Sequence, residues 1–363
     1  MNILSGKTVY QYLINSNCID LEFGVDVLQN GTFSVIENLN LSKNHTFRVN
    51  FELEDKQHSL FVKQPKKDSK ISIEAVVNEY KFLYLAKFRD FNDDLLDFDK
   101  ENTILLTRSH PDFTGLTTDV YKTKDSYISF AESASKTLFN FHEKFKGDKA
   151  SANYLSVFKP DLIQTEKRWK IVDEMWHFED FKMRQIAQKI QSNELVFMSI
   201  GENWNNSETI LHRDLKYSNF LINNKKLREY KLIDYELAAI GDRCWDISEF
   251  IFQLLRKKSS IGNIEEDPLW IRANLYSFSN HIILNYYYMT SGLDKEHFFK
   301  KVLSLFVVRL IQSYVSSVFN NLWDDKKKNI EFKNINYFWN IIDNYFESEE
   351  SSYFTNYIPK LYQ

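Results

Sequence analysis

The chain has 363 residues, 43% of them hydrophobic, with 46 Lys and Arg against 50 Asp and Glu for a formal charge of −4. That length and apolar content bury one large core or two lobes, and the near balance of charge gives no broad electrostatic reason to expect nucleic acid or an anionic membrane as a partner. The two cysteines, Cys18 and Cys244, lie far apart and exclude a disulfide framework or a Cys/His metal spacing, which fits a reducing, cytoplasmic setting.

In chain order, Ser5 is placed to cap a short helix over "KTVYQYLI", and "SGKT" before it is not a phosphate-binding P-loop, because the first glycine of that pattern would fall at Met1. The opening "MNILSGKTVYQYLIN" also has no sustained apolar core for a signal peptide. "GTFSVIENL", "TFRVNFELE" and "SLFVKQP" follow, rich in aromatic and β-branched residues and separated by polar turns, which predicts an antiparallel sheet. In "SKISIEAVVNEYKFLYLAKF" the apolar residues Ile73, Val76, Val77, Tyr80 and Leu83 recur at helical intervals, and "NTILLTR" returns to strand. Residues 1–108 therefore read as a small sheet with one packed helix, and "HPDFTGL" as the joint to a second, mostly helical part, 109–363. That part contains "YISFAESASKTLFNFHEKF", "IRANLYSFSNHIILNYYYM" and the apolar run "LSLFVVRLI", which Arg309 interrupts well short of a membrane span.

The main interruption to the helices is "ILHRDLKYSNFLINNKKLREYKLIDYELAAIGD", residues 210–242. "FLIN" and "EYKLID" are strand-like, with "NKKLR" as the turn. A hairpin folded about residues 226 and 227 brings Asn219, just before the first strand, and Asp234, at the end of the second, to one edge, where both can contact a single divalent cation. Mg²⁺ suits such a site because it takes oxygen ligands and keeps waters and phosphate oxygens. Asp214, in the loop before, is placed to orient a hydroxyl and accept its proton.

At these residues the chain resembles the protein-kinase-like superfamily: "HRDLKYSN" matches its catalytic loop, with Asp234 as the following metal-binding Asp. The resemblance implies a two-lobed α+β fold in which Lys63 of "FVKQ" contacts the nucleotide phosphates and Glu79, sixteen residues on, fixes it by an ion pair, with Glu74 as the competing partner. "ENTILLTR" resembles the strand entering an adenine-binding hinge. Asp-Phe-Gly and Ala-Pro-Glu are both missing; "IDYE" followed by "GDRCWDIS" instead resembles the aminoglycoside phosphotransferase and choline kinase group, whose members phosphorylate small hydroxyl-bearing molecules.

Two departures stand out. Arg213 occupies a position where that group typically has Gly, and the phosphate-covering turn "NLNLSKNHTF" has no glycine, leaving the backbone N–H groups of Ser42, Lys43 and Asn44 to face phosphate. By the resemblance Lys216 contacts the transferred phosphate, His212 braces the loop, and Asp246 starts a helix and holds the loop backbone. His142 reads as a satisfied core histidine, and Arg213 as paired with Glu236 or Asp242. Only eleven residues separate Asp234 from Asp246, and the span from Tyr235 to Trp245 has no Ser or Thr, so no activating phosphorylation is expected. The combined expectation is transfer of the γ-phosphoryl group of ATP, with GTP as the alternative, to a small-molecule hydroxyl with Mg²⁺. Asp214 is the base, Asn219 and Asp234 the metal ligands. The acceptor stays open among aminoglycosides, amino alcohols such as choline, sugars and other intermediates, as does the oligomeric state. Two competing readings are a protein kinase for a specific partner and a nucleotide-binding pseudokinase.

Overall fold

The structure is a computed structural model that describes residues 4–16, 33–38, 44–53, 56–66, 69–110, 112–115, 124–204, 208–226, 229–261, 282–290 and 294–320, with scattered positions between 322 and 339. The chain divides into two compact units, one of residues 1–115, 149–155 and 221–238, the other of 116–148, 156–220 and 239–363.

The first unit opens with α1 (Thr8–Ser16), whose start Ser5 caps by accepting from the Thr8 N–H at 3.3 Å. Strands β1 (Phe33–Asn38), β2 (Asn44–Leu53) and β3 (Lys56–Pro65) follow, then α2 (Lys70–Phe88), β4 (Leu95–Asp99) and β5 (Ile104–Arg108). The sheet is antiparallel in the order β1-β2-β3-β5-β4. One strand, β4, departs from the sequence reading. "LLDFD" is short, carries two acids and is bulged between Leu95 and Asp97, so it pairs with β5 on too brief an alternation to signal a strand. Leu4, Val9 and Leu13 bury against Phe47, Val49, Phe51, Leu60, Val62, Ile104 and Leu106. Successive strand side chains alternate faces, so Val62 joins that cluster while Lys63 points to the opposite face. Ser69 caps α2, accepting from the Ser72 N–H at 3.2 Å.

"HPDFTGL" contributes a short strand, β6 (Phe113–Gly115), antiparallel to β8 (Phe220–Asn223) of the expected hairpin, with β9 (Tyr230–Leu232) beyond it. Contacts group residues 221–238 with the first unit, for reasons the side chains make plain below. One is a buried knot in which Asp94 Oδ1 accepts from Lys231 Nζ at 2.6 Å and lies 2.7 Å from His110 Nε2. Burial would raise the Asp94 pKa, but these two partners hold it below the usual carboxylate range.

The second unit is helical: α3 (Lys124–Lys144), α4 (Thr165–Trp176), α5 (Phe181–Ser192), α6 (Glu194–Glu202), α7 (Arg243–Ile261) and α8 (Lys295–Phe319), with residues 282–289 also helical. Between them β7 (Thr209–Leu211) pairs antiparallel with β10 (Ala239–Gly241). Gly241 makes room there: a Cβ would lie 2.8 Å from a Leu211 methyl, which would have to move, and 3.2 Å from the Phe158 carbonyl oxygen. Phe130, Phe220 and Phe250 interlock in the core at centroid separations of 5.0–5.9 Å. Within α8, His297–Phe319 has a mean hydropathy of 1.7 and is by length and composition able to cross a membrane, yet 72% of its apolar window is buried inside the unit. Arg309 on this helix pairs with Glu249 of α7 and lies over the Phe252 ring at 4.4 Å. Most of "IRANLYSFSNHIILNYYYM", the helix expected after α7, lies outside the described residues.

Candidate active site

In the first unit, Lys63 Nζ donates to Glu79 Oε2 at 2.7 Å, Asp234 Oδ1 at 2.9 Å and Glu236 Oε2 at 3.4 Å. The expected pairing with Glu79 is present, whereas Glu74 is exposed and lies 3.8 Å from Lys70. One ammonium among three carboxylates leaves a formal charge of −2. Burial would lower the Lys63 pKa, but the three carboxylates outweigh it and hold the lysine well above its ordinary range. Asp234 lies two residues past β9 in left-handed backbone, φ 67°, a conformation Asp tolerates better than most residues and one that concentrates at functional positions.

Helix α2 holds this arm by more than Glu79. Asn78 Nδ2 donates to the carbonyls of Glu236 at 3.1 Å and Ala238 at 2.8 Å. Phe82, one turn on, stacks on Tyr235 with centroids 3.9 Å apart. The buried Tyr235 hydroxyl donates to the Leu232 carbonyl at 3.0 Å.

In the second unit the loop 212–219 is laced to Asp246 in the first turn of α7. Asp246 is fully buried and accepts from the backbone N–H groups of His212 at 2.7 Å and Arg213 at 2.9 Å. His142 lies between Asp246 and Tyr286, its Nε2 3.1 Å from the Asp246 carboxylate and its Nδ1 2.7 Å from the tyrosine oxygen. Burial drives the His142 pKa down despite Asp246, so this is a satisfied core histidine, as its sequence context indicated. His212 Nδ1 accepts from the Asp214 N–H at 3.3 Å, bracing the loop. Asp214 Oδ2 receives Lys216 Nζ at 2.7 Å and Asn219 Nδ2 at 3.1 Å, and the same amide donates to the Asp214 carbonyl at 2.8 Å.

Two expectations need correction or restriction. Of the carboxylates expected for Arg213, Asp242 pairs with Lys301 and Glu236 with Lys63, while the Arg213 guanidinium lies 3.6 Å from the centroid of the Phe158 ring. Its backbone is left-handed, φ 66°, which is why Gly suits that position, and burial above all pushes its pKa down to about 10. Asn44 belongs to β2, opposite Pro65 and 3% exposed, rather than to a phosphate-covering turn, and Ser42 and Lys43 lie outside the described residues. Tyr286 and Trp339, aromatics of the helical region after Asp246, are core residues.

Sequence reasoning missed Asn78 and the contact of Glu236 with Lys63. An Asn inside a helix, next to the critical Glu, is poor helix chemistry and was the available signal. Glu236 follows Asp234 by two residues, but only the turn between them aims both at one lysine.

This fold matches solved kinases over nearly their whole length. A choline/ethanolamine kinase family protein from Mesorhizobium loti is 13% identical, with 96% of this chain and 99% of that one covered, at a TM-score of 0.54. Choline kinase from Cryptosporidium parvum is 15% identical, with 94% and 97% covered, at 0.57, and the GDP complex of aminoglycoside 2′-phosphotransferase-IIIa is 13% identical, with 90% and 97% covered, at 0.56. No protein-family model and no curated protein matches the sequence. The chain thus has the mixed α+β, kinase-like fold of choline, ethanolamine and aminoglycoside phosphotransferases, with a small antiparallel-sheet unit and a helical one.

Proposed function

We propose that the protein is a cytoplasmic phosphotransferase that moves the γ-phosphoryl group of ATP, with GTP as the alternative, to a hydroxyl of a small molecule. The observation that carries this reading is the lysine ringed by Glu79, Asp234 and Glu236. A largely desolvated cluster with surplus negative charge is costly by itself and is relieved by a dication with its phosphates. Solved enzymes of this fold support the nucleotide and the acceptor class: they carry GDP or AMP, and they act on choline, ethanolamine or an aminoglycoside.

The residues fit Mg²⁺. In the first unit Asp234 and Glu236 offer hard oxygens. The resemblance assigns the other protein ligand to Asn219, whose amide nitrogen is committed to Asp214 and whose carbonyl oxygen is of the right kind. Among the described residues no three His, Cys, Asp or Glu form a ready-made cage, in keeping with a cation that keeps water and phosphate in its shell. When bound, Mg²⁺ supplies charge neutralisation on the phosphates.

Lys63, held by Glu79, binds phosphate oxygens once nucleotide enters. Asp214 orients the acceptor hydroxyl and takes its proton. Because Lys216 and Asn219 both occupy Oδ2, we assign that proton to Oδ1. Lys216, anchored on Asp214, meets the transferred phosphate, and Asp246 fixes the loop so that the base does not wander. The test is incubation of purified protein with ATP or GTP, Mg²⁺ and a panel of choline, ethanolamine, aminoglycosides, sugars and other alcohols, read by mass for a phosphorylated product. Phosphorylation of a protein partner alone would move the assignment to a protein kinase. Nucleotide binding with no turnover on any acceptor would make it a pseudokinase.

A further inference from the structure

The arm that bears Asp234 and Glu236 sits in a conformation that its own charges oppose. The two acids lie two residues apart, both reach Lys63, and Glu79 adds a third carboxylate. Like charges at that range repel, and a glutamate on an untethered turn relieves the repulsion by swinging into solvent. The turn here is closed by the Ala238 N–H donating to the Tyr235 carbonyl at 3.0 Å, which leaves the carbonyls of Glu236 and Ala238 to be satisfied from outside. Asn78 takes both, using the two N–H bonds of one amide nitrogen at 3.1 and 2.8 Å. Among side chains of this size only Asn does this: Asp carries acceptors alone, and Leu carries neither.

The position on the helix matters as much as the donors. Asn78 immediately precedes Glu79, and Phe82 stacks on Tyr235 from the next turn. One face of α2 therefore holds the backbone of the turn, its intervening aromatic side chain and, through Lys63, both of its acids. We infer that Asn78 is a positioning residue that keeps the Asp234 and Glu236 carboxylates in place for a divalent cation. The inference rests on the phosphoryl-transfer reading, but it concerns the site before any chemistry and is measured without turnover.

The experiment is Mn²⁺ binding to the full chain in the presence of ATP, followed by electron paramagnetic resonance, alongside ATP binding in EDTA. The proteins are wild type, Asn78→Leu, Asn78→Asp, Asn78→Gln and, as a packing control on the same helix, Phe82→Leu. The expected result is a Mn²⁺ affinity lower by tenfold or more in the Leu and Asp variants, the scale of losing a residue that orients a metal ligand. ATP binding in EDTA and the melting temperature should change no more than in Phe82→Leu, and Asn78→Gln, which keeps both donors, should recover most of the affinity. Should the Leu variant fail to fold, the contrast between Gln and Asp carries the same information. Wild-type Mn²⁺ affinity in the Leu or Asp variant overturns the role of Asn78 alone. A wild type that binds ATP no better with Mn²⁺ than with EDTA overturns the phosphoryl-transfer reading, and this inference with it.

Discussion

Replacing Arg213 sets two effects against each other, and the structure says which wins. Its guanidinium is stacked 3.6 Å from the Phe158 ring centroid and is largely desolvated, a contact worth about 2 kcal/mol. Its φ of 66° costs a residue with a Cβ about 1–2 kcal/mol relative to the ordinary right-handed region. Arg213→Ala loses the stack and keeps the strain, so it should destabilise by about 2 kcal/mol. Arg213→Gly loses the same stack and relieves the strain, while its freer unfolded chain takes back roughly 0.4–1 kcal/mol. The glycine variant should therefore be more stable than the alanine variant by about 0.5–1 kcal/mol, the reverse of their order at ordinary positions. Urea unfolding followed by tryptophan fluorescence is the appropriate assay, because Trp204 and Trp245 pack around Phe158 in the same unit and report its loss. An alanine variant as stable as the glycine variant or more so would refute the claim that this backbone is held against its preference.

Asp214→Ala should abolish transfer while leaving nucleotide affinity within about threefold, whereas Asp234→Ala should lose both metal-dependent binding and turnover. Equal nucleotide affinity and equal residual rates in the two would dissolve that division of roles. Lys63→Met removes the cation at the centre of three carboxylates and should cost about 3 kcal/mol in melts without metal, the range for breaking a buried ion pair. Added Mg²⁺ should recover more stability in that variant than in wild type. Asp94→Asn should destabilise the protein at pH 7. Because the folded-state pKa of Asp94 is depressed, its contribution is present above the unfolded value of about 3.9 and fades as pH falls through the folded one. The difference in melting temperature between wild type and Asp94→Asn should therefore shrink below about pH 4. Protein shown by intact mass to be unphosphorylated should turn over its acceptor at full rate. Tyr235 is buried with its hydroxyl engaged and Arg213 is stacked on Phe158, so neither is available to make or read a phosphate; a phosphatase that silenced an active preparation would contradict this.

Two kinds of signal were legible in the chain. The hairpin follows from two strand-like runs on either side of a polar turn, whereas the pairing of Lys63 with Glu79 and the bracing of the loop at 212–219 follow from the resemblance of their motifs to the kinase-like superfamily. What could not be read depends on turns and on competition among partners. "LLDFD" alternates over only four residues and follows the polar "FNDD", too brief a signal to read as a strand, so β4 declared itself only through its neighbour β5. Glu236 and Asp242 were both reasonable partners for Arg213 by charge, and each was claimed by a lysine, Lys63 or Lys301, that sequence order does not bring close. The bonds from Asn78 depend on a turn whose carbonyl directions no side-chain pattern records.

The long apolar helix α8 has a consequence for how the protein is made. Its stretch from His297 to Phe319 is, taken alone, as oily as a membrane-crossing segment. The surface that covers it includes α7, complete some thirty residues earlier in the chain, and Glu249 there is already synthesised when Arg309 emerges. Domains fold broadly in the order they leave the ribosome. The order of the two helices thus means that α8 meets a docking face as soon as it appears, and a circular permutation that placed α8 before α7 would leave that stretch bare for the whole synthesis of its partner.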